Sequence, residues 1–122
     1  TLHCAATPET ENLLDAERLA LMRDGAYLIN TARGALVDEK ALYQALRSGK
    51  LAGAAADALR DDPPMNNPLL ALENFFYTPH IGATTRESVE RVSMMAAQNL
   101  VAVLRGDPCP YIVNAHALKL RR

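Results

Sequence analysis

Tyr27-Leu28-Ile29-Asn30-Thr31-Ala32-Arg33-Gly34 carries four residues suited to a buried strand straight into a turn of small residues holding one guanidinium. In an open parallel α/β sheet, ligands gather in the crevice beyond the carboxyl ends of the strands. An Arg set there after Thr31 and Ala32, and followed by Gly34, offers a planar fork of donors to a carboxylate or phosphate.

Working outward from this stretch, strands and helices alternate. Upstream, Thr1 to Cys4 reads as a short strand and Ala5 to Asn12 as a loop. Asp15 can cap a helix running to about Arg23, with Leu19 and Met22 on one face and Gly25 ending it. Ala26 to Asn30 is the next strand, and its continuous apolar character suits a sheet covered on both faces. Downstream, Asp38 caps a second helix. Its pairs Ala41/Leu42 and Ala45/Leu46 recur at helical spacing, and Ser48-Gly49-Lys50 stops it. Leu51 to Ala56 is small-sided enough for a buried parallel strand approached closely by a helix or ligand, with Asp57 at its carboxyl end.

Arg60 to Asn67 is a breaker-rich loop, and Pro68 to Leu72 suits one helical turn. Phe75 to Thr78 is a further strand ending at Pro79-His80. Thr84-Thr85-Arg86-Glu87 has the form of a capping box. The long helix after it carries Val89, Val92, Ala96, Leu100 and Val103 on one face and stops at Gly106. Tyr111-Ile112-Val113 reads as a short extended piece before the tail. The order predicts an α/β fold, the second half of a doubly wound (Rossmann-like) parallel sheet.

Composition narrows the function. A chain of 122 residues suffices for one modest domain with a core. The formal charge of −1 and the scatter of charges leave no basic footprint, so no nucleic-acid partner is expected. Lys119-Leu120-Arg121-Arg122, the one basic cluster, reads as a frayed tail. Cys4 and Cys109 lie far apart and match no metal spacing, which predicts no metal and two reduced thiols in a cytoplasmic protein. No apolar run approaches transmembrane length and no signal peptide is evident, so no membrane partner is expected. Thr1 to Ala5 resembles the end of a strand and no initiator Met is present, so the chain is expected to be part of a longer protein.

Taken singly, the candidate groups have ordinary explanations. Arg33 suits a solvated turn, His80 a structural histidine, Asp57 a turn cap and Asp61-Asp62 a hydrophilic loop. Together they say more, because parallel strands would deliver Arg33, Asp57 and His80 to one side. A cation, a carboxylate and an imidazole at one crevice suit proton transfer coupled to binding of an anionic substrate. His3, placed within a strand, is expected to be structural, and His116 lies in the tail.

Three motifs then become recognisable: Leu28-Ile-Asn-Thr-Ala-Arg-Gly-Ala-Leu-Val-Asp38, Gly53-Ala-Ala-Ala-Asp57 with Asp62-Pro63-Pro64, and Thr78-Pro-His-Ile-Gly-Ala83. In this order they resemble the D-isomer-specific 2-hydroxyacid dehydrogenases, which include the phosphoglycerate, glyoxylate/hydroxypyruvate and formate dehydrogenases. The resemblance runs from Thr1 to about Asn114. It implies an oxidoreductase that transfers a hydride between NAD or NADP and a 2-hydroxy or 2-keto acid, working as a homo-oligomer, commonly a dimer.

By motif position, the resemblance makes Arg33 the grip on the substrate carboxylate and His80 the acid/base at the C2 oxygen. Asp62 stands where the family has a Glu that pairs with the imidazole, and being one methylene shorter it would need a small loop shift or a water. Asp57 matches the residue that holds the nicotinamide amide. Cys4, Thr31 and Ala32 match positions lining the nicotinamide ribose, and Gly82 and Ala83 match backbone near the nicotinamide; Arg33 and His80 also border the cofactor. Two further departures, Ala5 for a Pro and Ala58-Leu59 for a large apolar pair, are expected to reshape the pocket.

The glycine-rich G-x-G-x-x-G turn that cradles a pyrophosphate does not occur in these residues. The resemblance therefore divides the chain into the C-terminal half of an NAD(P)-binding domain (1–83), a linking helix with the last part of a substrate domain (84–114) and a tail (115–122). Two other readings stand beside the enzyme. One is a non-catalytic dinucleotide-binding regulator on the same fold, and the other is an inert truncated half-fold.

Overall fold

The computed structural model describes residues 1–109 and 111–114, and the predicted tail, with His116, lies outside them. The chain divides into two compact units, residues 1–82 and residues 83–122.

The first unit is built on three parallel strands, β1 (Ala26–Asn30), β2 (Leu51–Ala56) and β3 (Phe75–Tyr77), side by side in chain order. Helix α1 (Ala16–Leu21) precedes β1, and α2 (Glu39–Arg47) makes the crossover between β1 and β2. Register aligns Leu28, Ala54 and Phe75 in one row and Asn30, Ala56 and Tyr77 in the next. Because side chains alternate across a sheet, both rows face the side on which α2 packs. Leu42 and Leu46 of α2, Leu19 of α1, and Leu36, Leu51 and Leu69 close the core there, each at most 4% exposed. Burying each such leucine contributes roughly 1.5–3 kcal/mol.

Residues 1–82 leave the other side of the sheet uncovered. Tyr27, Ile29 and Phe76 are 71%, 45% and 67% exposed. Ile29, Ala55 and Phe76 form a row across this open face. The reason is that α2 and the elements packed with it all go to the opposite face. The apolar character of β1 records how well each face can be buried, not which elements bury it.

Sequence and structure agree closely on β1, β2, β3 and α2. Asp38 caps α2 by accepting from the Lys40 and Ala41 N–H groups at 3.0 and 3.1 Å, and the helix gives way at Ser48 and Gly49. The predicted helical turn at Pro68 is a 3-10 turn, Pro68–Ala71, capped by Asn67. Four details differ. The strand expected over Thr1 to Cys4 reduces to one parallel bridge, with the Leu2 N–H donating to the Ile29 carbonyl at 3.0 Å. His3 is consequently exposed, not held inside a strand. Asp15 caps α1 as expected, but the helix ends at Leu21 and Met22 is already extended. Gly25, at φ +75°, turns the chain into β1 and donates to the Lys50 carbonyl; it does not end the helix.

In the second unit, α3 (Arg86–Arg105) ends at Gly106 in the left-handed conformation. Its cap is Thr85, which accepts from the Ser88 N–H at 3.1 Å. The cap lies one residue later than a Thr84–Glu87 box requires, so Glu87 does not close a reciprocal bond. The face carrying Val89, Val92, Leu100 and Val103 is exposed. Tyr111 to Val113 forms turns rather than an extended strand, since no ladder partner faces it among the described residues.

Candidate active site

The site begins at the carboxyl end of β1. Asn30 is the last strand residue and is buried, at 4% exposure, in an otherwise apolar row. A buried amide has to find partners, and it finds them in the turn ahead. Its Oδ1 accepts from the Ala32 N–H at 3.0 Å, and its Nδ2 donates to the Arg33 carbonyl at 2.8 Å. These two bonds shape the loop that carries Arg33. Gly34 follows against the backbone of Leu59 and Arg60, where any Cβ would overlap the Leu59 carbonyl group and the Arg60 nitrogen. Arg33 itself is exposed, and its Nη1 donates to the Ala32 carbonyl at 2.7 Å. Its remaining donors are available to a planar anion.

Beside Arg33 lies a hollow of about 480 Å³ lined by His3, Cys4, Ala5, Thr31 and Ala32. The structure thus brings Cys4, Thr31, Ala32 and Arg33 to one place and adds His3. A larger hollow, about 640 Å³, lies against α1 and α2 among Ala16, Tyr43, Gln44 and Lys50 and holds none of the strand-end groups. Ala58 and Leu59, expected to reshape the pocket, are 5% and 6% exposed. Neither lines the hollow beside Arg33, and Leu59 packs against Gly34 and the core.

At the end of β2, Asp57 is buried and organises the third loop. Its Oδ1 accepts from the Thr78 hydroxyl at 2.5 Å and the Ile81 N–H at 3.0 Å, while Oδ2 accepts from the Gly82 N–H at 2.9 Å. The Thr78 hydroxyl holds the carboxyl below its ordinary range; burial opposes this, and the Gly82 and Ile81 amides and the nearby His80 add to the lowering. Three of about four acceptor directions are used within the chain, which leaves one on Oδ2. Gly82 sits so close that a Cβ there would meet Oδ2 at 2.8 Å. Ala83 is exposed, at the start of the second unit.

The loop that Asp57 grips carries His80, three residues beyond β3. Its backbone lies at φ +53°, a left-handed conformation that is costly for a residue with a Cβ and recurs at functional sites. The conformation is held by the His80 N–H, which faces the Asp57 and Thr78 carbonyls, each at 2.8 Å. The imidazole Nδ1 meets Asp62 Oδ2 at 2.8 Å with both side chains about half exposed. The shorter acid therefore reaches the ring directly, with no bridging atom between them. Nearby, the Tyr77 hydroxyl is buried without a partner among the described residues. Burial, and then the charges of Asp62 and Asp57, push its phenol upward.

Because β1, β2 and β3 are adjacent and parallel, Arg33, Asp57 and His80 all follow carboxyl ends on one side of the sheet, and the outer two strands are about 10 Å apart. The arrangement offers an anion grip, a loop-shaping carboxylate and an imidazole whose second nitrogen, Nε2, has no protein partner among the described residues. Sequence reasoning did not single out Asn30 or Thr78 as site-building groups. Only Asn30 carries a signal in the sequence, as an amide at the end of an apolar strand.

Comparison with known proteins agrees with this architecture. The family described as "D-isomer specific 2-hydroxyacid dehydrogenase, NAD binding domain" matches residues 1–82. The D-3-phosphoglycerate dehydrogenase of Methanocaldococcus jannaschii is 45% identical over 114 residues, which are 93% of this chain and 22% of that protein. The glyoxylate reductase of Thermofilum pendens is 46% identical over 122 residues, 99% of this chain and 36% of that protein. Among solved structures, the Aquifex aeolicus D-lactate dehydrogenase, complexed with NAD and lactic acid, superposes with a TM-score of 0.79 at 36% identity, over 86% of this chain and 36% of that one. The chain thus spans about a third or less of the length of these relatives. On the match over residues 1–82, this chain belongs to the D-isomer specific 2-hydroxyacid dehydrogenase family.

Proposed function

We propose that these residues form the catalytic half of an NAD(P)-dependent 2-hydroxyacid dehydrogenase. The observation that carries the reading is the His80–Asp62 pair, 2.8 Å apart, on the same sheet edge that bears Arg33. Relatives act on phosphoglycerate, glyoxylate and lactate by name, and what these compounds share is a carboxylate next to a hydroxyl- or oxo-bearing carbon. Arg33 would hold that carboxylate through two parallel N–H bonds and polarise the neighbouring carbonyl. Asp62, accepting from Nδ1–H, orients the imidazole and leaves Nε2–H to protonate the C2 oxygen during reduction, or Nε2 to take the proton during oxidation.

The residues present fit the nicotinamide end of a dinucleotide. The hollow beside Arg33 accepts a ring and ribose between Cys4, Thr31 and Ala32, and the remaining acceptor direction of Asp57 suits a carboxamide N–H. The cofactor, when bound, supplies or accepts the hydride at C2. Gly82 and Ala83 border this end by backbone. No pyrophosphate cradle of the G-x-G-x-x-G kind occurs in these residues, so the adenosine end needs groups from elsewhere. On this reading residues 1–83 complete an NAD(P)-binding domain, 84–114 lead into a substrate domain, and the whole works as a cytoplasmic dimer.

The test is turnover of glyoxylate or hydroxypyruvate with NADH or NADPH, followed by loss of cofactor absorbance, in the full-length protein. Arg33→Ala should raise KM for the keto acid severely. His80→Ala should lower kcat by roughly a hundredfold or more, the usual worth of a general acid, with cofactor binding retained. Normal turnover in both variants would overturn the reading.

A further inference from the structure

Asp62 approaches His80 from a loop, residues 60–67, that has no regular structure of its own. Such a loop would place a carboxylate poorly unless something outside it sets both of its ends. Glu39, the first residue of α2, does this. Its Oε1 accepts from the Arg60 backbone N–H at 2.6 Å, and its Oε2 accepts from Asn67 Nδ2 at 2.7 Å. One carboxylate thus ties the first and last residues of the loop to the start of a rigid helix. Asn67 is itself fixed, because its Oδ1 caps the following 3-10 turn through the Leu69 N–H at 3.0 Å. Arg60 is fixed a second time by its guanidinium, which reaches Glu11 at 3.0 Å and Asn12 at 2.7 Å.

The same helix start is joined through Gly34 and the 3-10 turn at Gly34–Leu36 to Arg33. Glu39 therefore lies where the Arg33 turn and the Asp62 loop meet. We propose that Glu39 is a positioning residue: it holds the 60–67 loop so that Asp62 meets the His80 ring, and it acts on proton transfer through Asp62 without touching substrate. This rests on the acid/base reading of the His80–Asp62 pair given above.

The experiment is a double-mutant cycle in the full-length protein, with amide hydrogen exchange across residues 60–67. Glu39→Ala should lower kcat roughly ten- to a hundredfold, the scale on which small misplacements act, while KM for the keto acid and the Kd for NADH stay within about twofold. The Glu39→Ala/Asp62→Ala double variant should be no slower than Asp62→Ala alone, since the two act in series. Glu39→Gln keeps the shape and one acceptor and should recover part of the loss, which also guards against a folding defect in the alanine variant. Exchange at the Arg60 amide should quicken in Glu39→Ala whatever the catalytic outcome.

Unchanged exchange, or losses that add in the cycle while Asp62→Ala is slow, would overturn the role of Glu39 and leave the pair's chemistry standing. Normal turnover in Asp62→Ala would instead overturn the acid/base reading, and the proposal with it. The two failures are therefore distinct.

Discussion

At the scale of single residues, the site depends on short side chains reaching just far enough. Asp62 touches His80 directly at 2.8 Å, and the pair lies at the surface, where a longer acid has room to fold back. Asp62→Glu should therefore keep turnover within a few-fold, whereas Asp62→Ala should lower kcat by about ten- to a hundredfold, the scale on which misplacement of a reacting group acts. Steady-state kinetics of the two variants side by side would check this. Asp57 gives a second expectation. Its carboxyl is held below its ordinary value chiefly by the Thr78 hydroxyl. The charged form therefore favours the fold at pH values above the unfolded pKa of about 4. That stabilisation is lost as pH falls through the lower folded value. Thr78→Val removes the largest contributor, so the acid unfolding limb should move to higher pH. Unfolding midpoints measured across the acid range would show the shift, and coincident curves would contradict it.

Among the elements, the tightest constraint is the meeting of two loops at Gly34. The contact is backbone on backbone, with the Leu59 carbonyl group and the Arg60 nitrogen against the position a Cβ would occupy. Backbone cannot swing aside as a flexible side chain can. Gly34→Ala should cost about 1–3 kcal/mol by overpacking, and it should also lower kcat because the Asp62 loop is what must move. Denaturant midpoints and turnover measured on the same preparation would test the two effects together. The resemblance between a strand end and a binding turn was legible in Asn30 to Gly34, since small residues around one Arg are a local pattern. The reason for Gly34 was not, because its neighbours are 25 residues away in the chain. Glu39 was invisible for a related reason. An acid in the first turn of a helix is ordinary by local rules, and only the fold shows that it bonds to residues 60 and 67.

At the scale of the whole chain, Arg33, Asp57 and His80 share one edge of the sheet, while no pyrophosphate-cradling G-x-G-x-x-G turn occurs among these 122 residues. The chain by itself should therefore bind NADH weakly, with Kd on the order of millimolar, and should bind reduced nicotinamide mononucleotide about as well. Titration with both compounds checks this, and a strong preference for NADH would show that these residues engage the adenosine half.

The order of strands and helices, the caps at Asp15 and Asp38, and the placing of Arg33, Asp57 and His80 beyond strands followed from the sequence alone. Periodicity, capping and turn formation act over a few residues. Parallel strands then require the crevice to lie at their carboxyl ends. Which face of the sheet is covered, how the shorter Asp62 reaches its histidine, and what sets the 60–67 loop were decided only in three dimensions. Those outcomes depend on contacts between residues remote in the chain, such as Glu39 with Arg60 and Asp57 with Gly82, whose formation no local pattern encodes.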